Sequence, residues 1–95
     1  MKFSDRGSED IYNGANTAAA RRSLPAELHE KAARLLDRLS SAGAPADLRI
    51  PRGNRFEKLT GDRKGQWSLR INDQYRICFS WENGEAKQVE IRAYH

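Results

Sequence analysis

The chain has 95 residues and a mass of 10.8 kDa, with 17 lysine and arginine residues against 13 aspartate and glutamate residues, a net charge of +4. This length predicts one domain over residues 1–95 with a small core. No apolar run could form a transmembrane helix, the first residues lack the apolar part of a secretory signal, and the single cysteine excludes a disulfide framework. With only two histidines, far apart, and no phosphate-loop glycine pattern, we expect a cytoplasmic protein without metal or cofactor, whose charge favours a polyanionic partner.

The first 22 residues give the weakest pattern. Residues 1–4 suit an edge strand, and residues 9–12 suit one helical turn that Asn13-Gly14 ends. Residues 15–22 are small and polar and are expected to form a loop. We expect residues 1–22 to be partly flexible.

A helix over residues 24–41 is the clearest predicted element. Pro25 and Glu27 suit its first turn, and Gly43 and Pro45 end it. An apolar stripe at helical spacing predicts that one face packs on the core. The stripe consists of Leu28, Ala32, Leu35, Leu36 and Leu39.

From residue 66 onward the pattern has period two, which predicts three half-buried strands, and residues 55–59 are expected to add a fourth. The fold class is therefore α+β: a small antiparallel sheet with the N-terminal helices packed on its apolar face. The apolar sets are Trp67, Leu69 and Ile71; Tyr75, Ile77, Phe79 and Trp81; and Val89 and Ile91.

The register of the first hairpin follows from keeping apolar residues opposite one another. A three-residue loop over residues 72–74 places Leu69 opposite Ile77, and it also places Arg70 opposite Arg76. Two opposed cations repel each other, so this pairing indicates that something anionic lies between them.

The same rule requires an odd number of residues in the turn around Asn83-Gly84. Arg76 then faces Glu90 with a three-residue loop, or Arg92 with a five-residue loop. Both alternatives put Arg70, Arg76, Arg92 and Tyr94 on the polar face. Either these arginines are solvated or paired with acids such as Glu90, or they bind phosphate.

Positive charge is concentrated between residues 49 and 76, where eight basic side chains stand against three acidic ones. A solvated basic face and a nucleic-acid footprint both give such a composition.

Two runs in the second half of the chain carry a family resemblance. They are residues 53–68, GNRFEKLTGDRKGQWS, and residues 70–79, RINDQYRICF, followed by Val89-Glu90-Ile91 and the terminal Tyr94-His95. This ordered set strongly resembles the HigB-type toxins of the RelE/ParE superfamily. The match is dense over residues 50–95, whereas the first half agrees only in length and helix placement.

The resemblance implies a toxin of a type II toxin–antitoxin system with a RelE-like fold. It implies a metal-independent endoribonuclease that enters the A site of the 70S ribosome and cuts messenger RNA. A helix-turn-helix, HigA-like antitoxin would neutralise it, and the toxin would meet operator DNA only through that antitoxin. Two alternatives stay open: a weak toxin that acts mainly as an antitoxin-binding co-repressor, and a ParE-like gyrase inhibitor, against which the ending Tyr94-His95 argues.

The implied chemistry is attack of a ribose 2′-hydroxyl on the adjacent phosphate, which needs a base, a cationic stabiliser and a proton donor. The resemblance assigns the phosphate to Arg76, and orientation and proton transfer to Tyr94 and to His95, a residue type that titrates near neutral pH. Glu57 is either a substitute base or an ion-pair partner of Arg55 or Arg70. The residues expected to hold RNA are Arg55, Lys58, Arg63, Lys64, Arg70 and Arg92.

Two departures from the family pattern matter. Many relatives end in Asp-Tyr-His, but this chain has Ala93 before Tyr94-His95. If that acid orients the histidine, activity is reduced here. Some members also place a histidine where this chain has Glu57.

Overall fold

The computed structural model describes residues 1–93, and it confirms an α+β fold with a four-stranded antiparallel sheet. The strands lie side by side in chain order. The helices are α1 (Arg6–Tyr12), α2 (Ala18–Ser23) and α3 (His29–Ser41). The strands are β1 (Glu57–Lys58), β2 (Trp67–Arg70), β3 (Tyr75–Glu82) and β4 (Glu85–Ala93).

The N-terminal segment is more helical than its sequence pattern indicates. Helix α1 includes the predicted turn, and the Asp5 carboxylate caps it by accepting a hydrogen bond from the Ser8 N–H at 3.2 Å. The loop predicted over residues 15–22 is wrong from Ala18 onward. Thr17 caps α2 by accepting from the Ala20 N–H at 3.1 Å, and three consecutive alanines then favour a helix.

Gly7 and Ser8 fix the position of α1. A Cβ atom at Gly7 would lie 1.9 Å from the Ser23 hydroxyl oxygen and 2.6 Å from the Ala19 carbonyl oxygen, so a larger residue would force α1 and α2 apart. Ser8 is fully buried, and its hydroxyl oxygen accepts a hydrogen bond from the Ile91 N–H at 2.9 Å. This contact ties α1 to β4.

Helix α3 begins later than predicted. Pro25 is followed by a 3₁₀ turn over Ala26–Leu28, and regular α-helix starts at His29. The His29 Nε2 atom lies 2.7 Å from the Leu24 carbonyl oxygen. The predicted stripe packs on the core as expected: Leu28 is half-buried, and the other members, Ala32, Leu35, Leu36 and Leu39, are buried.

The first hairpin has the predicted register. Leu69 lies opposite Ile77, and Arg70 lies opposite Arg76. The Asn72 Oδ1 atom accepts hydrogen bonds from the backbone N–H groups two and three residues later, at 2.8 and 2.9 Å. These bonds close the three-residue loop.

The second turn differs from the prediction. Asn83-Gly84 is a two-residue turn with φ angles of 52° and 79°, as in a type I′ hairpin. A β-bulge at Gln88, where φ is 53°, then shifts the register by one residue, and beyond it Arg76 lies opposite Arg92. The Arg92 alternative is therefore right, but a bulge rather than an odd loop produces it.

The two outer segments of the sheet are short. The expected edge strand over residues 1–4 is reduced to a parallel bridge between Phe3 and Val89. The fourth strand expected over residues 55–59 is limited to Glu57–Lys58.

The core lies between the helices and the apolar face of the sheet, where Leu36, Leu69, Ile77 and Phe79 are fully buried. The opposite face carries the polar side chains of β2, β3 and β4. Within residues 1–93 no helix is long and apolar enough to cross a membrane.

Candidate active site

Two rows of polar side chains cross the face of the sheet opposite the helices. The arginine row, as we call it, consists of Arg70, Arg76 and Arg92, placed side by side by the strand register. The mixed row is the neighbouring row on the same face, two residues away from the arginine row on β2, β3 and β4. It consists of Glu57, Ser68, Cys78 and Glu90.

Arg76, the middle member of the arginine row, is buried, with 6% of its surface exposed. Its guanidinium donates hydrogen bonds to the Ser68 hydroxyl oxygen at 2.6 Å, to Glu57 Oε1 at 3.1 Å and to the Arg55 carbonyl oxygen at 3.5 Å. Arginine is rarely buried unless it is paired, and three acceptors from different segments hold this planar group in one orientation.

Glu57 pairs with Arg76 and not with Arg55 or Arg70, so the predicted ion pair forms with a different partner. The cause is the register: β1 places Glu57 opposite Ser68, next to the guanidinium that reaches diagonally from β3. The Glu57 side chain remains 49% exposed. A carboxylate therefore stays accessible from solvent beside the buried cation.

The repulsion between Arg70 and Arg76 is relieved by the protein itself. Arg70 forms an ion pair with Asp73 in the hairpin loop, and Arg76 forms one with Glu57. The anionic groups expected at this opposed pair are therefore carboxylates of the chain itself, one for each arginine.

An open cleft of about 250 Å³ lies where β1 and the first hairpin meet. Three arginines and two carboxylates border it, which leaves one excess positive charge. Arg55, one of these arginines, is exposed, and its backbone has the left-handed conformation, with φ of 42°. The lining residues are Arg55, Glu57, Arg70, Asn72, Asp73 and Arg76.

On the side of Cys78 away from Ser68, Arg63 and Arg92 both lie close to Glu90. The Glu90 Oε1 atom accepts a hydrogen bond from Arg63 Nη2 at 2.6 Å and lies 3.8 Å from Arg92 Nη1. The structure thus divides the predicted RNA-binding arginines into two groups, and both arginines of this group form ion pairs with Glu90.

The two predicted lysines lie away from the cleft. Lys58 is opposite Trp67, so the register places it on the apolar side of the sheet, where it is exposed at the edge. Lys64 is exposed after the 3₁₀ turn Gly61–Arg63. Tyr94 and His95 fall outside the described residues.

Cys78 lies in the middle of the mixed row and is buried, with 5% of its surface exposed. Burial raises the pKa of its thiol, an effect that nearby Arg63 opposes. Within residues 1–93 no three histidine, cysteine, aspartate or glutamate side chains are grouped closely enough to hold a metal ion.

Ser68 is a site residue that sequence reasoning missed. It is fully buried and accepts the shortest of the three hydrogen bonds from Arg76. The available signal was its place on the polar face, diagonal to Arg76 across two paired strands, a separation that long side chains span.

Comparison with known proteins identifies the family of the chain. The family model for "RelE-like toxin of type II toxin-antitoxin system HigB" matches residues 1–95. "Toxin HigB-1" of Vibrio cholerae is 41% identical over 86 residues, covering 90% of this chain and 87% of that protein. "Endoribonuclease HigB" of Proteus vulgaris is 37% identical over 41 residues, covering 43% of this chain and 45% of that protein.

A solved YoeB–YefM complex from Staphylococcus aureus contains a chain with the same fold. Its TM-score is 0.63 at 22% identity, and the match covers 99% of this chain and 93% of that one. The full-length family match and the identity to the Vibrio cholerae toxin decide the family: the chain belongs to the RelE-like, HigB-type toxins of type II toxin–antitoxin systems.

Proposed function

We propose that the chain is a ribosome-dependent endoribonuclease that cuts messenger RNA and so inhibits translation, without a metal ion. The observation that carries this proposal is the buried guanidinium of Arg76, held by three acceptors at the wall of an arginine-lined cleft. The Proteus vulgaris relative is named an endoribonuclease, which supports the same reaction class.

Arg76 is assigned to the phosphate that is cut. Negative charge grows on the phosphate oxygens when the 2′-hydroxyl attacks, and a donor that is already oriented stabilises this charge without reorganising. Arg55 and Arg70 border the same cleft and hold the flanking backbone.

Glu57 is assigned as the base that accepts the 2′-hydroxyl proton. Its carboxylate lies 3.1 Å from the Arg76 guanidinium and is half exposed, so a nucleotide whose phosphate contacts Arg76 brings its ribose within reach. In this proposal Tyr94 orients the RNA, and His95 returns a proton to the leaving 5′-oxygen.

The proposed partners are the 70S ribosome with its A-site messenger RNA and a HigA-like antitoxin. Support for an antitoxin partner comes from the family and from the YoeB–YefM complex, in which a similar fold is bound to its antitoxin. In this proposal the protein reaches operator DNA only as part of that complex.

A second candidate function is antitoxin binding and co-repression by a toxin of reduced activity. Ala93 supports it, because this exposed residue at the end of β4 supplies no carboxylate where many relatives have one.

Induced expression in a bacterial host, with sequencing of transcript ends, tests the proposal. The parent chain is expected to arrest translation and to produce new messenger RNA ends, and Arg76→Ala is expected to do neither. Arg34→Ala is the matched control, because Arg34 forms an exposed ion pair with Glu30 on α3. Loss of growth with a DNA damage response and intact messenger RNA would indicate a gyrase inhibitor, and normal growth would favour the co-repressor.

A further inference from the structure

A second recess lies on the polar face of the sheet, around Glu90 of the mixed row. Its volume is about 520 Å³, and its lining includes the Arg63–Glu90 ion pair together with Gln66 and Gln88. Arg92 belongs both to this recess and to the arginine row. The cleft and the recess are therefore parts of one continuous surface.

Gln66 is held in one orientation at this recess. Its Oε1 atom accepts a hydrogen bond from Arg63 Nη1 at 2.9 Å, and Glu90 in turn fixes Arg63 through a 2.6 Å contact. The amide nitrogen of Gln66 consequently points away from Arg63, and it donates to the Gln88 Oε1 atom at 3.4 Å. The chain thus presents one amide whose donor side is already oriented.

Gln88 reaches the recess only because of the β-bulge. Its φ of 53° is a conformation that non-glycine residues adopt at a free-energy cost and that is common near functional sites. The bulge adds one residue between Lys87 and Val89, and this brings the Gln88 amide beside Gln66. Within the described part of the chain, Gln66 is the hydrogen-bond partner of the Gln88 side chain.

The charges of the recess differ from those of the cleft. Two arginines, Arg63 and Arg92, face two carboxylates, Asp62 and Glu90, so the lining is neutral. The cleft around Arg76 has an excess of positive charge and suits a phosphate. A neutral site with two amides suits an uncharged, hydrogen-bonding ligand.

We propose that this recess binds one unstacked nucleobase of the messenger RNA and that Gln66 and Gln88 read its hydrogen-bonding edge. This inference rests on the proposed function and adds a specificity site to it. The Oε1 atoms of both glutamines already accept hydrogen bonds, so their amide N–H groups are the donors that face the acceptor atoms on the edge of a base. Single-stranded RNA is recognised through such edges. Gln66 lies four residues before Arg70 of the arginine row, a distance of roughly 13 Å along an extended strand. One extended dinucleotide covers this distance from a phosphate at Arg76.

Programmed 70S ribosomes with a randomised A-site codon provide the test, with the cut ends sequenced. For the parent chain we expect a biased base at one position next to the cut. Gln66→Ala and Gln88→Ala are expected to reduce that bias about fivefold or more, since one amide–base pair discriminates by at least this factor. Asn16→Ala, which removes an exposed amide in the loop before α2, should keep the parent's bias.

An unchanged base distribution in both glutamine variants would overturn the inference, and so would a uniform loss of rate without a change in bias. If the parent cuts no RNA at all, the proposed function fails, and side-chain amide NMR decides the inference separately. Shifts of the Gln66 and Gln88 amide signals on adding RNA tetranucleotides, and not on adding ribose 5-phosphate, support a base site. Equal shifts with both ligands overturn it.

Discussion

The Ser68 hydroxyl oxygen accepts a 2.6 Å hydrogen bond from Arg76 Nη1, and both side chains are buried on the polar face of the sheet. Both residues stand in the runs that carry the family resemblance, but the resemblance assigns a role only to Arg76. The contact makes the orientation of Arg76 a property of the fold, set before any substrate is present.

Arg76→Ala is expected to abolish RNA cleavage and also to lower stability. The change leaves the buried Ser68 hydroxyl without its partner, at a cost of about 1–3 kcal/mol, whereas Glu57 is half exposed and can be hydrated. Arg76→Lys should restore part of the stability but little activity, because an ammonium cannot replace a planar fork of donors. Urea unfolding and cleavage on programmed ribosomes measure the two effects, and full cleavage by either variant contradicts the assignment of Arg76.

Ser68→Ala should reduce cleavage about tenfold while substrate affinity changes little. The guanidinium keeps its charge and its bond to Glu57, but it loses the acceptor that orients it. Ser80→Ala is the matched control, since the Ser80 hydroxyl donates to the Lys87 carbonyl oxygen and does not contact Arg76. If both serine variants lose only stability and retain the parent's kcat, Ser68 has no positioning role.

Glu57→Gln distinguishes the two roles that the sequence left open for Glu57, general base and ion-pair partner. A general base contributes roughly 10²- to 10⁴-fold, so its loss should lower kcat by that order. Asp73→Asn removes the other carboxylate of the cleft, the partner of Arg70, and should have a much smaller effect. An unchanged or increased kcat for Glu57→Gln would leave Glu57 as an ion-pair partner only.

Cys78 gives a pH dependence whose sign can be worked out. Burial raises the thiol pKa above its ordinary value of 9.0, so the folded state holds the proton at a pH where the unfolded chain releases it. This contribution to stability is fully present below about pH 9 and is lost as pH rises through the higher folded pKa. Urea unfolding from pH 8 to pH 10.5 should show a steeper decline for the parent than for Cys78→Ala. Parallel curves for the two proteins would be inconsistent with a raised pKa.

The sheet register was predictable only where the side chains enforce it. Leu69 opposite Ile77 follows from alternation on a buried face, and the opposed pair Arg70 and Arg76 follows with it. The bulge at Gln88 was not predictable, because neither glycine nor proline marks it. The bulge shifts the register of β4 as a longer turn would. The prediction that Arg92 lies opposite Arg76 was therefore right, although the predicted turn length was wrong.

The contacts that complete the site are harder to derive because they run between segments. Glu57 reaches Arg76 diagonally across β2, and Arg63 crosses from a loop to β4 to pair with Glu90. Periodicity determines which face a side chain shares, but it does not determine which of several nearby cations a carboxylate chooses. Sequence alone therefore identified the arginines and the acid Glu90, but not that Glu57 pairs with Arg76 or that Arg63 pairs with Glu90.

Ala93→Asp tests whether the missing carboxylate limits activity. Ala93 is exposed and ends β4, so an aspartate is accommodated there without entering the core. We expect a higher kcat on programmed ribosomes at unchanged thermal stability, because the change restores the Asp-Tyr-His ending of the family pattern, to which the resemblance assigns proton transfer. Ala93→Asn is the control that keeps the size and removes the charge. If aspartate and asparagine give the same rate as the parent, Ala93 is not a deficit, and the other residues of the site supply all of the activity.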